Sequence, residues 1–150
     1  MADELSEKTV VLRMNGVGNA FLRALGCTNC PQCTSAKPRA NTSASLIVKQ
    51  GRAIVGHILF DCGLGVVDSL VDFGAPFVTH IFVSHMHNDH VLGLDSLLQG
   101  QDRSGGHTPV PVYSTEYTWR EGVERHFGYL AEYSKCTWKP VGATVAPEIR

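Results

Sequence analysis

What most constrains this chain is a change of character at residue 85. The run Thr79-His80-Ile81-Phe82-Val83-Ser84 passes directly into His85-Met86-His87-Asn88-Asp89-His90, which holds three of the seven histidines and a carboxylate. The first run is rich in β-branched and aromatic residues and predicts a buried strand over Thr79 to Ser84. Side chains alternate along a strand, so His85 and His87 leave its end on the same side and can grip one ion together. Asp89 and His90 follow on the turn into a helix opening at Val91-Leu92-Gly93-Leu94, aimed at a second position close by. Neutral imidazole is the commonest zinc ligand and a carboxylate adds a harder oxygen donor, so this cluster predicts a metal centre with room for two divalent ions. The isolated histidines His57, His80, His107 and His126 read instead as surface or satisfied core residues.

The rest of the chain supplies an α/β frame. Thr9 to Met14 reads as a first strand, closed by Asn15-Gly16-Val17-Gly18 as a turn. That turn is no phosphate-cradling fingerprint, because a third glycine and a helix would have to follow, and Phe21-Leu22-Arg23 and a cysteine group follow instead. Gly26 to Ser45 lacks apolar periodicity and reads as a loop needing a cross-link. Ser45 to Lys49 and Ala53 to Phe60, split by Gln50-Gly51-Arg52, predict a hairpin. Asp61-Cys62-Gly63 ends it. Leu64 to Phe73 carries apolar residues at helical spacing and stops at Gly74-Ala75-Pro76. Beyond the cluster come a helix ending near Gln99, a Gly-rich loop from Gln101 to Thr108, a strand over Val110 to Ser114, a helix from about Glu116 to Leu130 and a strand from Cys136 to Val141.

Composition narrows the class. A chain of 150 residues with 43% hydrophobic and 18% charged residues suits one globular domain, expected to span 1–150. The net charge of −1 leaves no chain-wide basic footprint, so a nucleic-acid partner is unsupported though not excluded. The amino terminus, Met1 to Lys8, is charged and offers no signal-peptide core, and no stretch is long enough to span a membrane, so a cytoplasmic protein without a membrane partner is expected. The five cysteines are odd in number, and in a reducing compartment the tight group Cys27, Cys30 and Cys33 points to metal before disulfides.

With these pieces placed, His85 to His90 matches His-x-His-x-Asp-His and resembles the metallo-β-lactamase-fold hydrolases. That resemblance implies a four-layer αβ/βα sandwich, of which this chain would supply the amino-terminal half. It also implies that His85 and His87 hold one ion, that Asp89 and His90 hold the other, and that Asp61 orients the motif loop through hydrogen bonds. Asp89 would further orient the attacking hydroxide. A narrower likeness, from Val10 to Leu130, runs through Gly26-Cys27-Thr28-Asn29-Cys30-Pro31-Gln32-Cys33, Arg39, Ser43 to Val48, Pro111-Val112-Tyr113 and Arg125 to Leu130. It is similar to the phosphoribosyl cyclic phosphodiesterases of phosphonate breakdown, where a comparable loop carries a structural zinc.

The implied chemistry is hydrolysis of a small phosphodiester or nucleotide-like substrate by two zinc or manganese ions sharing a hydroxide. Relatives of tRNA 3′-processing endonucleases share the motif and stand as the alternative, as does a shortened, non-enzymatic metal-binding or interaction protein. The family completes its centre with a third histidine, a bridging aspartate and a further histidine. After His90 this chain offers Asp95, Asp102, His107 and His126, in contexts that do not match those positions, before it stops at Ile149-Arg150. A carboxyl-terminally incomplete domain is therefore expected, with weak catalytic metal binding, little activity alone, an open apolar sheet face and a tendency to form a homo-oligomer.

Overall fold

The computed structural model describes residues 7–142. Expectations for Met1 to Ser6 and for the end at Ile149-Arg150 fall outside them. The architecture is α/β: a six-stranded sheet in the order β1 to β6, with helices in the later connections. β1 (Lys8–Gly16), β2 (Ser43–Gln50) and β3 (Ala53–Phe60) form an antiparallel meander. β4 (His80–Phe82), β5 (Val110–Ser114) and β6 (Cys136–Pro140) then run parallel to β3 and to one another. Parallel neighbours need crossovers, and the chain provides them as helices. These are α2 (Val66–Phe73), α3 (Asn88–Val91) with α4 (Leu94–Arg103), and a helical stretch from Glu116 to Glu132.

The side-chain period of two sorts the strands into two unlike faces. Leu59, Ile81 and Val112 stand in one row across three strands, all fully buried, and join Val66, Leu70, Leu94, Leu98 and Leu130 from the helices in a single core. The opposite row is Phe60, Phe82 and Tyr113, whose rings stack at centroid distances of 5.5 and 4.6 Å. On that same face the edge strand keeps Leu12 66% exposed and Met14 53% exposed. One face is thus roofed by helices, and the other leaves apolar side chains open to solvent.

Several boundaries differ from expectation. β4 has three residues rather than six: ladder bonds still join Thr79 to His57 and Val83 to Tyr113, but the Ser84 N–H leaves the ladder for the Asp61 carboxylate. α3 begins at Asn88, so Asp89 and His90 lie inside a helical turn and not on the approach to one. α4 runs on to Arg103, past the expected stop near Gln99. β1 continues to Gly16, and neither Gly16 nor Gly18 adopts positive φ. Their smallness serves close approach instead, since a Cβ on Gly16 would lie 2.0 Å from the Asn41 carbonyl oxygen. Within 26–45, only α1 (Pro31–Thr34) is helical. No helix among the described residues is long and apolar enough to cross a membrane.

Candidate metal centre

The histidine cluster sits where β4 ends, and the structure fixes it from outside the motif. Asp61 closes β3 with φ +55°, a left-handed conformation uncommon for a residue with a Cβ. Its backbone N–H donates to the Phe82 carbonyl at 2.8 Å, continuing the parallel ladder. Its carboxylate then receives the Ser84 N–H at 2.7 Å and the Ser84 hydroxyl at 2.7 Å, with His90 Nδ1 at 2.7 Å. The next turn is pressed against α3: the Cys62 N–H donates to the His90 carbonyl at 2.8 Å, and a Cβ on Gly63 would lie 1.8 Å from the Asp89 carbonyl oxygen. Asn41 clamps the far side of this turn, accepting from the Leu64 N–H at 2.7 Å and donating to the Asn19 carbonyl at 2.7 Å.

These contacts settle which imidazole nitrogens carry protons. A carboxylate only accepts, so His90 holds a proton on Nδ1, which leaves Nε2 as the nitrogen that a metal would take. The Ser84 hydroxyl spends its one proton on Asp61 and must accept from His85 Nδ1 at 3.0 Å, which frees His85 Nε2 in the same way. Burial and the neighbouring His90 and His87 rings also hold the His85 pKa below its ordinary value, favouring the neutral form that binds metal.

The freed nitrogens face partners. His85 Nε2 lies 3.1 Å from His87 Nδ1, and His90 Nε2 lies 3.3 Å from Asp89 Oδ2. Two donors on one tetrahedral zinc, each about 2.0–2.1 Å from it, stand about 3.3 Å apart. The donor set therefore fits two divalent ions in kind and in pairwise spacing. It does not assemble a third donor: among the described residues, the one set of three candidate donors lying within 4.8 Å of one another is Cys27, Cys30 and Cys33.

That cysteine group is the second cluster, and it forms locally. Cys30 caps α1, its sulfur accepting from the Cys33 N–H at 3.2 Å, while the Ala24 N–H donates to Cys33 Sγ at 3.3 Å. Three thiolates on one zinc at about 2.3 Å stand roughly 3.8 Å apart, within the observed limit. The Cys30 backbone N–H and its thiol, together with the Cys33 thiol, draw the Cys27 pKa down to about 7. The same exchange of hydrogen bonds among the thiols raises that of Cys33, against the Ala24 N–H, which lowers it.

A cleft of about 660 Å³ opens beside the motif at His87 and Asp89, lined also by Phe21, Met86, Arg125 and His126. Its far wall includes a π-helical turn, Trp119–Glu124, which leads into α5 (Arg125–Glu132). Gly122 in this turn packs on the motif, since a Cβ there would come within 3.0 Å of Met86 Cα. Widened helical turns of this kind concentrate at functional sites. His126 thus lies on the same cleft as His87, a placement that isolated spacing in the sequence does not signal. His57 is buried in the sheet, and His80 lies beside Tyr113 on the open face.

A family model described as Anti-Pycsar protein Apyc1 matches residues 10–114, well over half of the chain. The chain belongs to the Apyc1 family. The matched span of this Apyc1-family chain takes in both clusters and Asp61. Among curated proteins, Ribonuclease Z of Natronomonas pharaonis is 41% identical over 76 residues, 50% of this chain and 23% of that protein. Ribonuclease BN of Citrobacter koseri is 35% identical over 75 residues, 49% of this chain and 25% of that protein. Among solved structures, a diphosphatase of the PhnP family aligns with a TM-score of 0.72 at 22% identity, covering 95% of this chain and 54% of that one. The metallo-β-lactamase fold protein YhfI of Bacillus subtilis aligns at 0.58 and 18% identity, covering 89% and 47%. The Apyc1-family chain thus has the metallo-β-lactamase fold and matches a portion of it, one sheet with its layer of helices. It spans about a quarter of the curated relatives and about half of the solved structures.

Proposed function

We propose that this chain carries the metal-holding part of a phosphodiester hydrolase site. The observation that carries the reading is the pairing of donors beside an open cleft: His85 with His87, and Asp89 with His90, each pair at the spacing one ion imposes. Two ions, zinc or manganese, would be held by these pairs, and when bound they would supply a nucleophile at neutral pH and polarise a phosphoryl oxygen. His85 and His90 present Nε2 because Ser84 and Asp61 hold the proton on Nδ1. Asp61 orients the motif without reaching the cleft, while Asp89 lies on the cleft wall, where it can orient the attacking water. Arg125, on the same wall, brings a cation toward a phosphate despite its 2.9 Å pairing with Glu121.

The choice of phosphodiester over other bonds rests on relatives that are ribonucleases by name. Their identity to this chain also keeps an RNA-processing endonuclease as the second reading, against which stands the net charge of −1. Cys27, Cys30 and Cys33 would hold a structural zinc. A soluble, cytoplasmic protein acting on a small substrate remains part of the proposal.

The test is turnover with metal in excess, because the described residues bring only paired donors to each ion and catalytic zinc usually has three protein ligands. Metal-loaded protein should hydrolyse bis(p-nitrophenyl) phosphate faster than protein carrying His85→Ala. It should leave a thioester and a lactone untouched. Cleavage of the thioester or lactone with none of the phosphodiester would overturn the reading, and preferential cleavage of a pre-tRNA 3′ trailer would select the second one.

A further inference from the structure

We infer that His57, Ser45, Asn15 and Ser43 form a hydrogen-bond chain that runs outward from the Asn15 amide and ends on the Asp61 carbonyl, making Asn15 and Ser43 positioning residues for the histidine cluster. The inference rests on the proposed metal site, though it concerns residues outside that site. All four side chains are buried between the meander and α2, and none has an obvious packing reason to be polar.

Acceptor-only carbonyls at the two ends fix the directions. His57 Nδ1 lies 2.8 Å from the Pro76 carbonyl, which only accepts, so Nδ1 carries a proton. His57 is fully buried, and burial with the nearby Arg13 charge lowers its pKa, so the ring is neutral and Nε2 accepts. The group 2.7 Å from Nε2 is the Ser45 hydroxyl, which must donate to it. Its one proton goes to His57 at 2.7 Å rather than to Asn15 Oδ1 at 3.2 Å, and Ser45 accepts from Asn15 Nδ2 at 2.9 Å. The second Nδ2 proton of Asn15 goes to Ser43 Oγ at 3.1 Å, and the Ser43 hydroxyl donates to the Asp61 carbonyl at 2.8 Å. The amide orientation this demands of Asn15 has independent support, because the Arg13 guanidinium donates to Asn15 Oδ1.

The end of the chain is where it matters. Asp61 holds φ +55°, and the same backbone setting aims its carbonyl at Ser43 and its carboxylate at Ser84 and His90. Releasing the carbonyl lets Asp61 relax toward commoner backbone angles and swings the carboxylate away from His90. The proton on His90 Nδ1 then loses its acceptor, and Nε2 loses its fixed aim. The Asn15 amide thus feeds two arms across three strands, one through Ser45 to His57 and one through Ser43 to the motif.

The test uses cobalt(II) as the metal probe, whose thiolate charge-transfer bands report the cysteine cluster apart from the weaker bands of histidine and carboxylate ligands. Ser43→Ala should weaken cobalt binding at the histidines about tenfold. Its cysteine bands should stay unchanged, and the downfield proton resonance of His90 Nδ1 should move or broaden. Ser43→Thr, which restores a hydroxyl on a strand, should recover both signals, and Asn15→Asp, which cannot donate to Ser43, should match Ser43→Ala. Unchanged affinity and an unchanged His90 resonance in Ser43→Ala would overturn the inference. If that variant does not fold, Asn15→Asp read in the same two ways decides in its place: weakened cobalt binding with a shifted His90 resonance supports the inference, and both unchanged overturn it. Wild-type protein that binds cobalt at the histidines yet cleaves no phosphodiester would sink the functional proposal and leave this one standing. If the wild type bound no metal there, the His90 resonance would decide alone.

Discussion

The two clusters are assembled by opposite means. Cys27, Cys30 and Cys33 come together within one short loop, held by a capped helical turn and by backbone N–H groups no more than nine residues away. The histidine motif is just as compact in sequence, yet its donors meet only in pairs. What aims them arrives from Asp61, Asn41, Gly63 and Gly122, on three other parts of the chain. A ligand set that is local in sequence can therefore be local in structure, as at the cysteines, or wholly dependent on the fold, as at the histidines. The two should respond differently to perturbation.

The largest separation is expected from the ligands themselves. His85→Ala or His87→Ala should remove metal from the first position and abolish nearly all hydrolysis, because each takes one of two donors. His126→Ala, on the cleft wall but outside either pair, should do far less. Metal content and phosphodiester turnover of the three variants measure this, and equal losses would mean the centre has been drawn in the wrong place. Next comes Asp61→Ala, which touches no ion in the proposal yet frees Ser84 and His90 together. It should cost about 10–100-fold in metal affinity at the histidines. Zinc titration with a thiol-reporting band should show the cysteines unaffected, and a matching loss at both clusters would erase the distinction between them.

The cysteine loop should fail through stability instead. Where free zinc is about a hundred times the dissociation constant, binding adds about 2.7 kcal/mol to folding, and Cys30→Ser should forfeit most of that. The thermal midpoint in zinc would fall, while the midpoint in chelator would barely change. Equal midpoints of variant and wild type in zinc would exclude a structural ion. A finer probe is alkylation of the metal-free loop. The Cys27 pKa, drawn down to about 7, makes its rate rise through neutral pH, with Cys33 following only at higher pH. Zinc should suppress both, and mass-resolved labelling across pH tells the two thiols apart.

How much of this was legible in the sequence follows the same division. The hairpin, the helix before Gly74 and the strand Val110–Ser114 were readable because local patterning and turn residues agree there. The cysteine group was readable from spacing alone. The motif residues were recognisable too, but not the helical turn that carries Asp89 and His90, because its start is set by Gly63 pressing on Asp89. The interruption of the long helix by a π turn was equally hidden, since Met86 and Gly122 meet only in the folded chain. Gly16 and Gly18 looked like turn residues because sequence does not distinguish a glycine needed for its φ from one needed for its lack of a side chain. The buried row from His57 to Ser43 gave no sign of itself, being polar residues scattered over three strands.

That row yields the smallest expected effect, and one that tests how far the histidine cluster depends on remote groups. His57 is held below its ordinary value of 6.5, first by burial and then by Arg13, with the Pro76 carbonyl opposing. A folded-state value below the unfolded one means that the unfolded chain takes up a proton the native state refuses. His57 therefore costs nothing well above pH 6.5, and stability falls as pH drops through and below that point. Metal-free wild-type protein should lose more stability between pH 7.5 and 5.5 than His57→Gln, which cannot titrate at this position. Denaturant midpoints at the two pH values measure the difference, and comparing slopes within each protein cancels the titration of the other six histidines. Cobalt affinity at the cysteines should change by the same factor in both proteins, because that loop shares no hydrogen bond with the row. Parallel stability slopes would show that His57 is already protonated in the fold, and the Ser45 hydroxyl would then accept from Nε2 and donate to Asn15 Oδ1, 3.2 Å away.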